Sequence, residues 1–292
     1  MQLSENEFQL LRKFLLRETG IDVPEAKQYL FSTRLGELLQ KEGCGSFSDF
    51  LVLLTGGRES LIRSTIEAMT THESGFYRDP FHFQTLVEQI LPALALQKVA
   101  KRTHKSPCIR ILSAGCSYGQ EPYTLAMSIS NWQSSNPEWT AEDFSITGID
   151  ISTRALERAR QGRYTDMEIG HNLPIEDRER YFSKNGDQWT LAESLRKRVT
   201  FQHVNLSRPI MEMGRFDIIF CRNMIIYFSP EQKTAVLLQL RKILEPAGML
   251  FLGSSESMYG TNVEFLQRTH GKSFYYQAPQ PHPSNEVLSW KF

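Results

Sequence analysis

The sequence predicts an α/β protein: an all-helical segment, then a domain in which strands alternate with helices, with a small β-subdomain inserted into the latter. Three observations predict it. Up to about residue 100, apolar residues recur at helical spacing without a strand-like run; from residue 108, apolar runs alternate with amphipathic helical stretches. Residues 162–198 break that alternation, being polar, irregular and too long for a plain loop.

The first helix is expected over SENEFQLLRKFLLRE (4–18). Ser4 stands three residues before Glu7 as in a capping box, Phe8, Leu11 and Leu15 share a face, and Gly20 ends the run. A second helix is expected from Pro24 to Glu42, with Tyr29, Leu30, Leu35, Leu38 and Leu39 turned inward. On it Lys27, Arg34 and Lys41 recur every seven residues and so share one outer face. Further helices are read at 46–54, 59–69 and 80–98. Strands are read at 108–113, 144–150, 198–204, 216–221, 248–253 and 272–277, and the intervening helices at 121–130, 153–161 and 229–246. Strand and helix in alternation imply a largely parallel sheet with right-handed crossovers. The domains are therefore 1–80 (helical), 81–107 (linker helix and the basic connector KVAKRTHKSP), 108–277 (sheet, with 162–198 inserted) and 278–292 (a Pro-rich tail).

Lys plus Arg and Asp plus Glu both number 33, so the formal charge is zero and nothing global points to nucleic acid or an anionic membrane surface. Cys44, Cys108, Cys116 and Cys221 are scattered, without a C-x-x-C pair or a His at metal-ligand spacing, which argues against a disulfide framework or a metal site and fits a reducing cytoplasm. The N-terminus MQLSENEFQL lacks a basic, then apolar, export signal, and no window approaches the ~18 apolar residues of a membrane span. The expectation is a soluble cytoplasmic protein.

The strongest chemical signal is ILSAGCSYGQEPYTLAM (111–127). A strand runs into a turn of small residues, Ser113, Ala114, Gly115, Ser117 and Gly119, and then a helix, so the backbone can approach a ligand closely. The turn is neither G-x-G-x-x-G nor a P-loop, which favours a nucleoside-type ligand over a pyrophosphate. A tight turn without any ligand has the same pattern. Asp150 ends the next strand, where an acidic side chain accepts ribose hydroxyls, although an Asp there can also cap the helix, as Ser152 could. Asn205-Leu206 and Arg222-Asn223-Met224 follow the third and fourth strands. All four positions fall on the carboxyl edge of the predicted sheet, and the set, with amide side chains suited to an adenine edge, indicates S-adenosylmethionine.

Between the domains lies MTTHESGFYRDPFHF (69–83), in which Pro80 disfavours helix at Asp79. TTHESGFYRDPFHF resembles the TTNxTxFFRDxxxF segment of the chemotaxis receptor methyltransferases, the CheR family. SAGCSYGQEPYTLAM is similar to that family's SAxCSTGEEPYSLAM, GIDISTRALERARQGRY to ATDIDxxxLxxAxxGxY, FDIIFCRNMIIYFSPEQ to FDxIFCRNVLIYF, and GMLFLGSSES to G-x-L-x-L-G-x-S-E. The resemblance runs in order over about residues 5–277.

It implies a Rossmann-like class I S-adenosylmethionine-dependent methyltransferase domain behind the helical one, acting on glutamate γ-carboxylates of the helical cytoplasmic bundle of chemoreceptors, and releasing S-adenosylhomocysteine. It implies a cofactor site of His72, Ser74, Arg78, Gly115, Glu121, Asp150, Asn205, Leu206, Asn223 and Met224. His72 stands for the family's Asn and Ser74 for its Thr; a neutral imidazole keeps one donor and one acceptor, or the ring simply packs. Arg78 can hold either the cofactor's carboxylate or the incoming glutamate, and Tyr227 can offer a hydroxyl near the methyl donor or only pack. The Lys27, Arg34, Lys41 stripe either selects glutamate-rich receptor helices or is a solvated face. Receptor binding independent of a C-terminal pentapeptide is implied by the short RYFSKNGDQWTL connection with its single Gly186, and a monomer is expected.

Overall fold

The computed structural model describes residues 2–101 and 108–280. The basic connector from 102 and the tail from 281 lie outside the described residues.

Four helices open the chain: α1 (Glu5–Thr19), α2 (Tyr29–Lys41), α3 (Phe47–Thr55) and α4 (Glu59–Met69). α1 has the full capping box between Ser4 and Glu7 and stops at Gly20 in the left-handed region. Its Phe8 packs edge-on to Phe31 of α2 at 5.7 Å, within a core that also buries Leu11, Leu15, Leu35, Leu39 and Phe50. The second helix differs from the reading at its start. A 3-10 turn over Glu25–Lys27 precedes it, so Lys27 stands before α2 instead of on its face, and Tyr29 is exposed rather than inward. Residues 80–98 form a nearly continuous rod, α5 (Pro80–Thr85) and α6 (Leu91–Lys98), joined by one π turn over Leu86–Ile90. Pro92 has no N–H to give the preceding turn, and the wider turn accommodates it.

The second domain is a seven-stranded mixed sheet. β1 (Ile109–Ala114) pairs in parallel with β2 (Phe144–Asp150), and the two are separated by α7 (Gln120–Ser134); α8 (Thr153–Gln161) follows β2. The insertion holds β3 (Arg163–Thr165), α9 (Asp166–Ile169), α10 (Ile175–Tyr181), β4 (Phe182–Asn185), β5 (Gln188–Leu191) and α11 (Glu193–Arg196). Its strands make a separate antiparallel sheet, β3-β5-β4, whose β4–β5 hairpin turns on Gly186 and Asp187 alone. β6 (Val199–His203), β7 (Phe216–Cys221), α12 (Pro230–Ile243), β8 (Leu244–Phe251), β9 (Leu266–His270) and β10 (Ser273–Gln277) complete the chain. The main order is β6-β2-β1-β7-β8-β10-β9, parallel through β8 and antiparallel beyond it.

Ile109, Ile111, Ile218 and Phe220 are buried on one face and Leu112, Ile149, Ile219 and Leu250 on the other. Burial on both faces explains why these strands read as continuous apolar runs. No helix among the described residues is long and apolar enough to cross a membrane.

Candidate active site

At the carboxyl edge of the sheet, Gly115 (φ +74°) turns the chain out of β1, and its N–H donates to Ile149 O at 2.8 Å. A Cβ at this glycine would lie 2.8 Å from Met224 Sδ, so the missing side chain is what lets the two strand ends approach. Ser117, also left-handed, donates its N–H to Asp150 Oδ2 at 2.8 Å, and Ser152 donates its N–H to Oδ1 at 2.9 Å. Ser152 itself caps α8, accepting the Ala155 N–H at 3.0 Å. The two readings of Asp150 are thereby separated: the serine is the cap, and the carboxylate faces the cleft. Each of its oxygens keeps a further lone pair, which suits a pair of vicinal hydroxyls. Burial pushes its pKa up, against the Ser152 and Ser117 N–H bonds, and the balance is a raised value.

The helical domain roofs this edge through named bonds. Asn205 Nδ2 donates to Glu18 O at 2.7 Å, and Asn205 Oδ1 accepts the Ser207 N–H (2.9 Å) and hydroxyl (2.7 Å). Both ends of the Asn205 amide are thus engaged within the chain, and its second Nδ2 hydrogen is what it has left to offer on the cleft wall. Asp22 N–H donates to Tyr227 O at 2.9 Å beside an antiparallel bridge between Ile21 and Phe228. Arg34 donates to Met69 O (2.9 Å) and Thr71 Oγ1 (3.1 Å), bracing the start of the junction. The stripe is accordingly not one free basic face: Arg34 is partly spent on the junction, while Lys27 and Lys41 are exposed.

The junction crosses the edge in a tense conformation. Tyr77 (φ +49°) and Asp79 (φ +55°) both occupy the left-handed region, which costs a non-glycine residue roughly 1–3 kcal/mol. Buried Arg222, at the end of β7, donates to Asp79 Oδ2 and Glu121 Oε2, each at 2.7 Å, and to Arg78 O. Burial alone would raise the Asp79 pKa, but the bonds from Arg222 and Ser254 leave it lowered. Glu121 also accepts the Ser113 hydroxyl at 2.7 Å, so this carboxylate belongs to the buried network. Arg78 donates to Glu73 O at 3.0 Å.

His72, Gly115, Asp150, Asn205, Leu206, Asn223, Met224 and Tyr227 line one cleft. Ser74, Arg78 and Glu121 do not, although Glu73, which Arg78 holds, does. His72 Nε2 lies 3.1 Å from Thr70 Oγ1, with its ring 5.3 Å from that of Tyr118. The turn carrying Asn223 (φ +56°) depends on Glu256, a residue to which the sequence alone assigns no role. Glu256, 4 % exposed, accepts N–H groups from Asn223 (2.7 Å), Met224 (2.9 Å), Gly253 (2.8 Å) and Ile226 (3.3 Å). An acid among small residues just after an apolar strand was the available signal. Ser117, on the cleft wall, has a buried hydroxyl with no partner among the described residues. An orphaned hydroxyl, a carboxylate with spare lone pairs and a side-chain-free glycine fit an adenosyl amino acid such as S-adenosylmethionine.

Comparison with known proteins agrees. Residues 72–274 match the family model described as "CheR methyltransferase, SAM binding domain", and residues 6–70 match "CheR methyltransferase, all-alpha domain". The chain is 36% identical over 259 residues to "Chemotaxis protein methyltransferase 1" of Pseudomonas aeruginosa, covering 88% of this chain and 92% of that one. It is 39% identical over 265 residues to "Chemotaxis protein methyltransferase" of Vibrio parahaemolyticus, covering 90% and 93%. To "Chemotaxis protein methyltransferase Cher2" of Pseudomonas putida it is 33% identical over 280 residues, covering 95% and 100%.

Proposed function

From the premise that the chain belongs to the CheR methyltransferase family and is an S-adenosylmethionine-dependent methyltransferase, we propose that it esterifies glutamate γ-carboxylates on the cytoplasmic helical bundle of chemoreceptors, for sensory adaptation. The observation that supports this best is the single cleft in which Asp150, Gly115 and the Ser117 hydroxyl meet Asn223, Met224 and Tyr227 under a helical roof.

A glutamate side chain, with a reference pKa of ~4.3, is already the nucleophile at neutral pH, so the reaction needs no general base. Bound S-adenosylmethionine supplies a methyl group activated by its sulfonium. What remains for the protein is placement and the exclusion of water, and orientation alone can be worth about 7–11 kcal/mol. With the cofactor bound, Asp150 would take the ribose hydroxyls. The Gly115 backbone and Ser117 would hold the rest of the nucleoside and amino-acid chain, with His72 closing from the junction; Ser74, two residues on and outside the cleft lining, would reach it only through a shift of the junction. Arg78 would hold a carboxylate through its paired donors, and Tyr227 would offer its hydroxyl near the methyl donor. Lys27 and Lys41, exposed near α2, favour glutamate-rich helices by charge. The two-residue β4–β5 turn leaves no Gly-rich loop there, which supports receptor binding without a pentapeptide tether. The protein acts in the cytoplasm as a monomer.

Incubating the protein with methyl-labelled cofactor and a receptor cytoplasmic fragment tests the reading. Base-labile label on the fragment is expected; intact cofactor binding with no transferred label would overturn it in favour of a non-catalytic adaptor.

A further inference from the structure

Arg78 sits between two left-handed residues, Tyr77 and Asp79, and each is anchored by a different part of the molecule. Asp79 is tied to Arg222 and to Ser254 Oγ, at the ends of the main sheet. Tyr77 is tied to the insertion. Its phenol donates to Asp177 Oδ2 of α10, and its N–H donates to Thr124 Oγ1 of α7 at 3.2 Å.

Asp177 is 6 % exposed, and its other oxygen accepts Asn131 Nδ2 at 2.7 Å. Asn131 Oδ1 in turn accepts the Tyr181 phenol, also at 2.7 Å. Immediately before Tyr77, Phe76 is buried edge-on to Tyr164 of β3 (4.9 Å) and Phe182 of β4 (5.3 Å). Residues 76 and 77 are thus gripped by the small subdomain one residue before the arginine.

We propose that Asp177 is a positioning residue for Arg78: the Asp177–Tyr77 bond fixes the left-handed turn that presents the guanidinium, so the inserted subdomain sets the geometry of the reaction site. A ligand or partner that shifts α10 would then alter turnover without touching the cofactor cleft. The assignment rests on the carboxylate-holding role given to Arg78 above.

The test uses the full chain with Asp177→Ala, Asp177→Asn, Tyr77→Phe and Arg78→Ala, reading kcat, receptor KM, equilibrium binding of S-adenosylhomocysteine, and Tm. Displacing a positioning group by about 1 Å can cost as much as a hundredfold, and here we expect kcat to fall about tenfold in Asp177→Ala and in Tyr77→Phe. Cofactor affinity should stay within about twofold, and the combined variant should fall no further than either alone. Asp177→Asn, which keeps an acceptor for Tyr77, should recover most of the rate. Unchanged kcat in Tyr77→Phe, additive losses, or a rate that falls only in step with cofactor affinity would overturn the proposal. Tyr77→Phe removes only a hydroxyl and keeps the test decisive if Asp177→Ala does not fold. Full activity in Arg78→Ala would instead sink the role given to Arg78, a separate failure.

Discussion

Glu67 of α4 and Ser152 at the head of α8 are hydrogen-bonded across the boundary between the helical domain and the sheet, the serine hydroxyl donating to Glu67 Oε2. Thr153 Oγ1 (3.0 Å) and Arg154 N–H (3.2 Å) donate to the other oxygen. One carboxylate thus latches the roof of the cleft to the N-terminus of the helix that follows Asp150, where a negative charge is also favoured by the helix dipole.

Removing that latch should be measurable. Glu67→Ala is expected to cost about 1–2 kcal/mol at pH 7, read by urea unfolding. Burial alone would raise the Glu67 pKa, but the bonds from Ser152, Arg154 and Thr153 leave it below the ordinary 4.5. With the folded value depressed, the contribution is complete above pH 4.5 and lost as pH falls through the folded value. The gap between wild type and variant should therefore be flat from pH 7 to 5 and close only below that.

Asp150 behaves in the opposite sense. Burial holds its folded pKa above the ordinary 3.8, so ionising it costs the folded protein stability, a cost absent below 3.8 and complete above the folded value. The role proposed for Asp150 in cofactor binding would make use of that ionised form. Asp150→Ala should weaken S-adenosylhomocysteine binding about 10- to 100-fold by calorimetry, at about 1.5–3 kcal/mol for bonds to a charged acceptor. Wild-type affinity should fall as pH is lowered through the raised folded value; an affinity indifferent to the substitution would remove Asp150 from the site.

Arg222 stands between two carboxylates with its side chain 2 % exposed. Arg222→Met would leave Asp79 and Glu121 facing each other unneutralised, at an expected cost of about 3–5 kcal/mol. If charge is the reason, neutralising both partners as Asp79→Asn and Glu121→Gln in the same chain should recover more than half of the loss. Chemical denaturation of the single and triple variants decides it.

Gly115→Ala meets two separate obstacles. The positive φ costs about 1–2 kcal/mol for any L side chain, and the new Cβ would meet Met224 Sδ at 2.8 Å. Met224→Ala should relieve the second and not the first. Cofactor affinity in the double variant is expected to lie between those of wild type and Gly115→Ala, by equilibrium dialysis.

How much of this could be read beforehand follows from sequence distance. The Ser4–Glu7 cap is local, and strands buried on both faces announce themselves, so α1 and β1, β2 and β7 stand where expected. β9, LQRTH, was missed because an exposed edge strand carries neither apolar run nor alternation. Leu244–Pro246 read as the end of a helix but open β8, because the left-handed backbone at Ala247 bends the chain into the sheet before Gly248. Around the cleft, positions at strand ends were legible from topology. Their partners were not: Arg222 lies 101 residues from Glu121, Glu256 lies 33 from Asn223, and Ser152 lies 85 from Glu67. The same limit hid the bond from the Asn205 amide to the Glu18 carbonyl, since an adenine edge and a backbone carbonyl ask for the same side chain.

His72 gives a prediction in which packing and protonation separate. Burial pushes its pKa below the ordinary 6.5, with Asp150 and Glu67 pulling the other way, so the ring is neutral at pH 7. The unfolded chain takes up a proton near 6.5 and the folded one only at lower pH, so wild type loses stability as pH falls below 6.5 toward the folded value. His72→Asn has no such group. At pH 7 it should lose about 1 kcal/mol of ring contact with Tyr118, and that deficit should shrink as pH falls below 6.5, read by thermal unfolding. Asparagine also offers a donor and an acceptor, so cofactor affinity should stay within about threefold. If binding collapses while stability follows the expected course, the imidazole itself contacts the cofactor, and the exchange of Asn for His at this position alters the site rather than its packing.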